Sequence, residues 1–447
     1  MMYNTRMNLR LSHYGWMVAR HQAKNGALHL GRAPEADLLI ELFTGSHVPA
    51  SEYPIYPELV TKGILDVIPE DIQDEETHLR YKRNPFEHVT KVIFEFTTYC
   101  NFNCEHCYNG HVPRHTETNL DLLKNAAGTL LEMGISRFDF VGGEVSRYGN
   151  GWLDLVHHIH SLEENARISL YTNGWWLDQK DFPAAGRIYP DIWAYLADLK
   201  ARGVTHITFS LDGPGELHDQ SRHQPGLYER ILKGLEQVKK AGLEPRVSLL
   251  VRKDWDNELF ENFLAEPATI IYDLDPASPA GKRALKLSLD PFNAISNFID
   301  IGNGAGCTQD QLILLDSPRY PLYCRDFYRL SPSLTIKANG EIASCRLATA
   351  GEGYGNLHHE SMLEIVNHFD EAFISRLHIE RRLEEYLPFV DRSIFGGQFT
   401  HLCTLRAVIT LLARKMDQQG VGFDDAVAIQ RINREVARET GHLPRSA

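Results

Sequence analysis

Three of the chain's seven cysteines lie within eight positions, in the stretch FEFTTYCNFNCEHCYNG from residue 94 to residue 110. Cys100, Cys104 and Cys107 directly follow an apolar run. Iron–sulfur clusters are held by cysteine thiolates, normally four, so three thiolates on one tight loop fit a [4Fe–4S] cluster with one iron left unligated. An open iron can coordinate a substrate or cofactor, as an open catalytic zinc does. The spacing therefore predicts a catalytic iron–sulfur centre.

A zinc site is the alternative for the same loop, with a fourth ligand elsewhere in the chain. Disulfides are not expected, because we place the protein in the cytoplasm, where thiols stay reduced. The opening MMYNTRMNLRLSHYGW has no apolar core of signal-peptide type, and no run of eighteen apolar residues occurs, so we expect no membrane association. The formal charge of −13 argues against nucleic acid as the main partner, because phosphate binding favours a basic face.

Short β-rich segments alternate with helical patterns from about residue 90 to residue 275, and they must position the cysteine loop. The predicted strands are 91–98, 137–141, 168–173, 204–213, 245–251 and 268–275. Strict alternation with apolar strands predicts a parallel sheet covered by helices, either as a barrel or as an open doubly wound sheet. In both architectures, active sites gather at the C-terminal ends of the strands, and the cysteine loop follows the first of these ends.

The spacing Cys-x3-Cys-x2-Cys after the first strand of a β/α unit resembles the radical S-adenosylmethionine (SAM) superfamily. Gly142-Gly143-Glu144, at the end of the second strand, is similar to the family's GGE motif, which binds the methionine amino group of SAM. Two glycines let backbone approach a ligand closely, and a carboxylate pairs with an ammonium group. Val145 replaces the proline that often follows. The resemblance implies an α/β fold with a partial (β/α)6 TIM-type barrel.

The same resemblance implies the cofactors. A SAM-binding [4Fe–4S] cluster would be held by Cys100, Cys104 and Cys107, and SAM would bind at its open iron. In such enzymes, one-electron reduction of the cluster cleaves SAM into methionine and a 5′-deoxyadenosyl radical, which takes a hydrogen atom from the substrate. The resemblance also implies a flavodoxin or a ferredoxin as the electron donor.

Further residues match positions that related enzymes use toward SAM. Asn173 in YTNG, and Ser210 and Asp212 in SLDG, are expected to face its ribose and carboxylate. Arg222 matches an arginine that clamps the SAM carboxylate, a task that suits a guanidinium fork. His106 holds the family's aromatic position beside the adenine. The residues alone leave open that Asp212 is a turn residue and that Arg222 is a solvent-facing charge.

Two of the remaining cysteines flank a predicted β-hairpin. Fifteen residues separate Cys324 from Gly340, and four separate Gly340 from Cys345. Asn339-Gly340 is typical of a tight hairpin turn. The arrangement resembles the signature of SPASM and twitch domains, which implies a second, auxiliary [4Fe–4S] cluster. Because the further cysteine run of a full SPASM domain is missing, a reduced, twitch-like version is expected.

Cys307 and Cys403 would complete the auxiliary cluster by count alone. Each could instead be a small buried apolar residue. Another alternative is that one of them is a redox-active hydrogen-atom donor, as in radical SAM epimerases.

The pattern divides the chain into four segments. Residues 1–85 resemble a winged-helix-like leader-recognition (RRE-like) domain, which captures a peptide by pairing it with an exposed strand edge. Its expected elements are a hairpin at Asn25-Gly26 and two helical patterns, APEADLLIELFTG and YPELVTKGILDVI. The alternative for this segment is a structural extension of the barrel. The other segments are the radical SAM partial barrel (86–300), a SPASM/twitch-like auxiliary-cluster domain (301–410) and a helical tail (411–447).

These resemblances together predict a radical SAM peptide maturase. It would abstract hydrogen from a ribosomal precursor peptide with a leader sequence and install a crosslink or an altered stereocentre. The alternative is a radical SAM dehydrogenase or epimerase that acts on a sugar or aminocyclitol. A non-catalytic iron–sulfur or zinc module is disfavoured, because the SAM-ligand motifs would then have no purpose.

Overall fold

The fold is that of a computed structural model of the chain. The structure describes residues 7–24, 56–69, 89–104, 119–249, 333–343, 353–369, 382–395 and 402–439, together with shorter pieces such as 48–49, 269–271, 313–314 and 398–399. Within these ranges, no helix is long and apolar enough to cross a membrane.

The N-terminal segment contains a three-stranded antiparallel sheet in the order β2-β1-β3. Its elements are β1 (Met7–Leu11), α1 (His13–Lys24), β2 (Val48–Pro49), α2 (Tyr56–Thr61) and β3 (Leu65–Pro69).

Two of the N-terminal predictions are wrong. The run before Asn25 is helix α1 rather than a hairpin strand, because its buried residues Tyr14, Met17 and Val18 follow the helical i, i+3, i+4 period. The pattern YPELVTKGILDVI is helical only to Thr61 and then continues as strand β3. Asn25-Gly26 itself, and most of the pattern APEADLLIELFTG, lie outside the described residues.

The central segment alternates strands and helices around five parallel strands in the order β10-β9-β6-β5-β4. The elements are β4 (Lys91–Thr97), α3 (Leu120–Glu132), β5 (Arg137–Gly142), α4 (Val145–Tyr148), α5 (Trp152–Leu162), β6 (Arg167–Thr172), β7 (Phe182–Ala184), β8 (Arg187–Tyr189), α6 (Ile192–Ala201), β9 (His206–Leu211), α7 (Glu216–Arg222), α8 (Leu227–Lys240) and β10 (Glu244–Leu249).

The prediction of a sixth strand at 268–275 is wrong for residues 269–271, which the structure describes. Residues 269–271 are helical, and Lys239 at the end of α8 donates to the carbonyls of Ile270 and Ile271 (3.1 and 3.4 Å). A short apolar run does not by itself distinguish a strand from a buried helical turn. Instead, β12 from the C-terminal segment pairs in parallel with the other edge, β4. The result is an α/β fold with a mostly parallel sheet, consistent with a partial barrel.

The two faces of this sheet differ in chemistry. Phe94 stacks with Phe138 and Phe140, and Phe140 meets Trp152 of α5, so these rings form the helix-covered core. On the opposite face, side chains of neighbouring strands make polar contacts: Lys91 Nζ with Asp139 Oδ2 (2.8 Å), Ser169 Oγ with Thr208 Oγ1 (3.1 Å), and His206 Nε2 with Glu244 Oε2 (2.7 Å). Alternation along each strand produces this division.

The C-terminal segment begins with strands and ends in helices. Its elements are β11 (Ile313–Leu314), β12 (Ser333–Ile336), β13 (Glu341–Ala343), β14 (Gly355–Asn356), α9 (Met362–Asn367), α10 (Leu383–Tyr386), a 3₁₀ turn (Leu387–Phe389), α11 (Arg392–Phe395), β15 (Gln398–Phe399), α12 (Leu402–Gln418) and α13 (Ala426–Glu439). The predicted hairpin turn forms: Lys337 N–H donates to Glu341 O (2.9 Å), and Gly340 has φ of +80°.

Two hydrophobic cores connect these segments. The larger core joins Tyr14, Met17 and Val18 of α1 to the barrel strands and helices, to β12 and to α9. The smaller core joins α10 and α11 to α12 and α13. The expected boundary at residue 411 therefore falls inside α12, whose residues Val408 and Leu412, on either side of it, share one core.

Candidate active site

Gly142 and Gly143 bring the end of β5 into contact with the backbone leaving β4. Gly143 N–H donates to Thr97 O (2.7 Å), and Glu144 N–H donates to Tyr99 O (2.8 Å). A Cβ atom on Gly142 would lie 2.2 Å from Thr97 O, and one on Gly143 would lie 2.0 Å from Tyr99 O. The sequence suggested that these glycines allow close approach of a ligand. In the structure they allow two strand ends to approach, which fixes the start of the cysteine loop.

The loop places three partly buried thiols after β4. Cys107 N–H donates to Cys104 O (3.2 Å), which closes a turn between the second and third cysteines. Burial raises the pKa of Cys100 to about 12, with a further contribution from Glu144, and burial raises the pKa of Cys104 to about 11. Since thiolates are the ligands of iron, a cluster held by these cysteines would release protons when it binds.

The described part of the loop suits a cluster of several irons. In the described part of the chain, no three His, Cys, Asp or Glu side chains converge to hold a single metal ion. A [4Fe–4S] cluster spreads its thiolates over different irons, so three thiols on one loop suit that group.

Glu144 joins the end of β5 to the end of β6. Its side chain is fully buried, and it accepts hydrogen bonds from the hydroxyls of Ser146 and Thr172 (the latter at 2.8 Å) and from Asn173 N–H (2.7 Å). Burial raises the pKa of Glu144, and these three donors oppose that shift. The predicted partner was the ammonium group of SAM. In this structure, both carboxylate oxygens already have protein donors.

Asp212 and Arg222 form a buried two-pronged ion pair. Arg222 Nε lies 2.5 Å from Asp212 Oδ2, and Nη2 lies 2.9 Å from Oδ1. Burial alone lowers the pKa of Arg222, but the Asp212 carboxylate and the nearby Cys104 raise it above its ordinary value. Asp212 N–H also donates to His218 Nδ1 (3.1 Å). Arg222 is therefore not a solvent-facing charge, and Asp212 is more than a turn residue.

Asn173 and Ser210 lie at the same edge of the sheet. Asn173 follows β6 and contacts the cysteine loop, while the half-buried Ser210 lies in β9 opposite Ser248 of β10. His106 lies outside the described residues. So do Cys307, Cys324 and Cys345, whereas Cys403 is in the first turn of α12 with its side chain outside the description. The auxiliary cluster therefore stays a prediction.

Sequence reasoning missed the residues that support Glu144. The Trp175 ring donates through Nε1 to Ser146 Oγ (2.9 Å), and the Arg147 guanidinium lies 4.6 Å from the centroid of that ring. Thr172 Oγ1 accepts from Gly174 N–H and from Trp176 Nε1 (both 3.1 Å). The adjacent tryptophans after YTNG were the available signal, because a buried Trp N–H group usually has a hydrogen-bond partner.

Comparisons with known proteins agree with this geometry over the barrel. The profile of the radical SAM superfamily matches residues 94–254. An AdoMet-dependent heme synthase from Oleidesulfovibrio alaskensis is 27% identical over 166 residues, which cover 36% of this chain and 38% of that enzyme. A GTP 3′,8-cyclase from Peptoclostridium acidaminophilum is 26% identical over 174 residues, which cover 38% and 49%. The matches thus span less than half of the length of each of these relatives, 38% and 49%.

Among solved structures, Streptococcus suis SuiB bound to S-adenosylmethionine aligns with a TM-score of 0.46 and 11% identity, over 81% of this chain and 83% of that one. A similarity of this size does not establish a shared substrate. The profile match implies a [4Fe–4S] cluster and SAM as cofactors for the segment it covers. Residues 94–254 are therefore similar to the radical SAM superfamily.

Proposed function

We propose that the chain is a radical SAM peptide maturase that captures a precursor peptide on its N-terminal sheet and modifies it at the barrel. Cys100, Cys104 and Cys107 would hold the cluster on the loop that Gly142 and Gly143 fix. When bound, the cluster and SAM supply a 5′-deoxyadenosyl radical that removes a hydrogen atom from the substrate. The observation that carries the peptide part of the proposal is the edge of β3 that no other described strand pairs with.

The register of β3 shows which of its backbone groups point away from β1. Ser12 N–H donates to Ile64 O (2.9 Å), and residues pair with β1 in the order Leu11–Leu65, Arg10–Asp66 and Leu9–Val67. Because bonded pairs alternate along an antiparallel ladder, Leu65 and Val67 direct their backbone groups away from β1. In the described sheet, β3 has no second neighbour. The other edge, β2, is two residues long and contains Pro49, which has no N–H to donate to an added strand.

The N-terminal sheet is held against the barrel by specific contacts. Tyr14 N–H donates to Asn367 Oδ1 (2.9 Å), and Asn367 Nδ2 donates to Gly63 O (3.2 Å). The Tyr14 hydroxyl contacts Glu132 of α3, and His13 meets Phe369 edge-to-face with centroids 4.9 Å apart. A peptide bound to β3 would therefore start from a fixed position relative to the sheet that carries the cysteine loop.

Replacement of Val67 by proline tests the proposal without removing the N-terminal core. The variant loses the outward N–H of residue 67 but keeps the ladder to β1. With a panel of synthetic leader-type peptides, we expect binding of any peptide that the wild-type chain captures to weaken roughly fivefold or more, since one backbone hydrogen bond contributes about 1 kcal/mol. Calorimetry measures binding, and reductive SAM cleavage without peptide should stay unchanged. Val67→Thr, which keeps the N–H, is the matched control. Equal peptide binding by Val67→Pro would contradict capture at β3.

The second candidate is a small-molecule enzyme of the sugar or aminocyclitol type. The buried Ser169–Thr208 hydroxyl pair on the inner face of the sheet favours a polar substrate. The names of the relatives that match the barrel refer to GTP and heme rather than to peptides. Val67→Pro distinguishes the two candidates, because turnover of a sugar or an aminocyclitol would not change.

A further inference from the structure

The side chain of Asn173 reaches toward the cysteine loop rather than toward open space. Asn173 is 5% exposed and directly follows β6, and its backbone is held by the 2.7 Å bond from its N–H to Glu144 Oε2. Its Nδ2 atom lies 3.1 Å from Asn101 Oδ1 and 3.7 Å from Cys100 Sγ. The two hydrogens of one amide nitrogen therefore point at the loop.

The orientation of this amide is fixed by a group that can only donate. Trp175 N–H lies 3.0 Å from Asn173 Oδ1. Rotating the amide by 180° would place an NH₂ group against that backbone N–H, with two donors facing each other and no acceptor. The carbonyl oxygen must therefore face Trp175, and the NH₂ group must face Asn101 and Cys100.

Cys100 Sγ then has two N–H donors from the protein, Asn173 Nδ2 and the backbone N–H of Phe102 at 3.4 Å. Hydrogen bonds to the sulfurs are among the factors that set the reduction potential of an iron–sulfur cluster. Reduction adds negative charge that spreads onto the thiolates, so a donor stabilises the reduced state more than the oxidised state. Outer partners of this kind tune a metal centre without contacting the metal.

We propose that Asn173 is a positioning residue that raises the reduction potential of the cluster by donating to Cys100, and that it is not a direct SAM ligand. The inference rests on the proposed cluster at Cys100, Cys104 and Cys107. It replaces the sequence-based expectation that Asn173 faces the ribose or carboxylate of SAM. Three of the four hydrogen-bonding positions of its side chain are already engaged by Trp175, Asn101 and Cys100.

The test uses the full chain with its cluster reconstituted anaerobically. Asn173→Ala removes the donor and leaves the backbone N–H to Glu144 in place. We expect normal iron content but a more negative midpoint potential by EPR-monitored titration. The ratio of reduced to oxidised cluster at a fixed potential should fall about three- to tenfold, within the range expected for one ordinary hydrogen bond. SAM affinity, measured by equilibrium dialysis, should change less than about twofold.

Asn173→Asp is the second variant, because it keeps the acceptor for Trp175 and replaces the donor by a negative charge. It should lower the potential further than Asn173→Ala. Asn165→Asp is the matched control, since Asn165 is exposed in the turn before β6, at the opposite end of that strand. It adds the same charge and should leave the potential unchanged.

The outcomes separate the two proposals. An unshifted potential in both Asn173 variants, with SAM affinity reduced tenfold or more, overturns the inference and makes Asn173 a SAM ligand. A wild-type chain that binds no cluster at its three loop cysteines contradicts the proposed function instead. If Asn173→Ala does not fold, the reduction potential of Asn173→Asp tests the inference alone. Aspartate has the same shape as asparagine, so this variant is expected to fold.

Discussion

At the scale of single residues, the site depends on positions where neighbouring backbone leaves no room for a larger side chain. Gly143 is the sharpest case, because a Cβ atom there would overlap the carbonyl oxygen of Tyr99 at 2.0 Å. That oxygen also accepts the N–H of Glu144. One extra methyl group would therefore push apart the two strand ends that hold the cysteine loop.

We expect Gly143→Ala to fold but to lose most of its cluster, because the loop start must move. Iron content after reconstitution and the absorbance of the cluster measure the effect. Gly128→Ala is the control, since Gly128 lies in helix α3 with open space around it. It should keep its iron and gain about 0.5–1 kcal/mol of stability. Full iron loading in Gly143→Ala would show that the glycine is not needed for the loop.

Glu144 also illustrates why residue roles change between sequence and structure. Its motif predicted a ligand for an ammonium group, whereas Thr172, Ser146 and Asn173 donate to it in the structure. Arg222 was expected to clamp the SAM carboxylate, and the carboxylate it contacts is that of Asp212. A motif identifies the residue types at a strand end. It does not identify which partner each side chain meets, because the partners come from distant strands and helices.

At the scale of elements, the strands of the barrel and the β12–β13 turn were predictable, and the strand at the sheet edge was not. Apolar runs such as 91–98 and 137–141 have the length and composition of buried parallel strands. Asn339-Gly340 specifies its turn by local conformation alone. By contrast, β12 joins β4 only through long-range pairing. The sequence predicts a strand in place of helix α1 because Trp16 and Val18 favour strands, while the burial of the run follows the helical period.

The hairpin turn offers a test at this scale. Gly340 has φ of +80°, and an added Cβ atom would lie 2.8 Å from the His358 ring and 2.9 Å from Asn356 Oδ1. We expect Gly340→Ala to lower the free energy of unfolding by about 1–3 kcal/mol, measured by urea denaturation.

Gly420→Ala separates strain from contact in that experiment. Gly420 has φ of +62° with nothing within 4 Å of an added Cβ atom, so only the backbone conformation is penalised. Gly420→Ala should therefore lower the free energy of unfolding by less than Gly340→Ala does. Equal losses would mean that the His358 and Asn356 contacts do not constrain the turn.

At the scale of the whole molecule, the N-terminal segment and the barrel share one hydrophobic core. Met17 of α1 is 5% exposed and belongs to the same cluster as the barrel strands and α9. The expected division at residue 85 therefore separates parts of the sequence that are packed together in the structure.

Met17→Ala should destabilise the larger core as a unit. Truncation of a buried methionine costs about 2–5 kcal/mol, and we expect α1, α3 and α9 to lose hydrogen-exchange protection together. Val427→Ala is the control, because Val427 is 82% exposed and should change neither quantity. Loss of protection confined to α1 would instead show that the N-terminal segment unfolds independently.

The pairing of β12 with β4 also determines when the sheet can be completed during synthesis. β12 begins roughly 240 residues after β4, so ribosomal elongation at about 5–20 residues per second leaves the β4 edge unpaired for roughly 12–50 seconds. During that interval the strand that leads into the cysteine loop has one open side. We therefore expect chaperones and the cellular iron–sulfur delivery machinery to reach a nascent chain whose sheet is still unfinished.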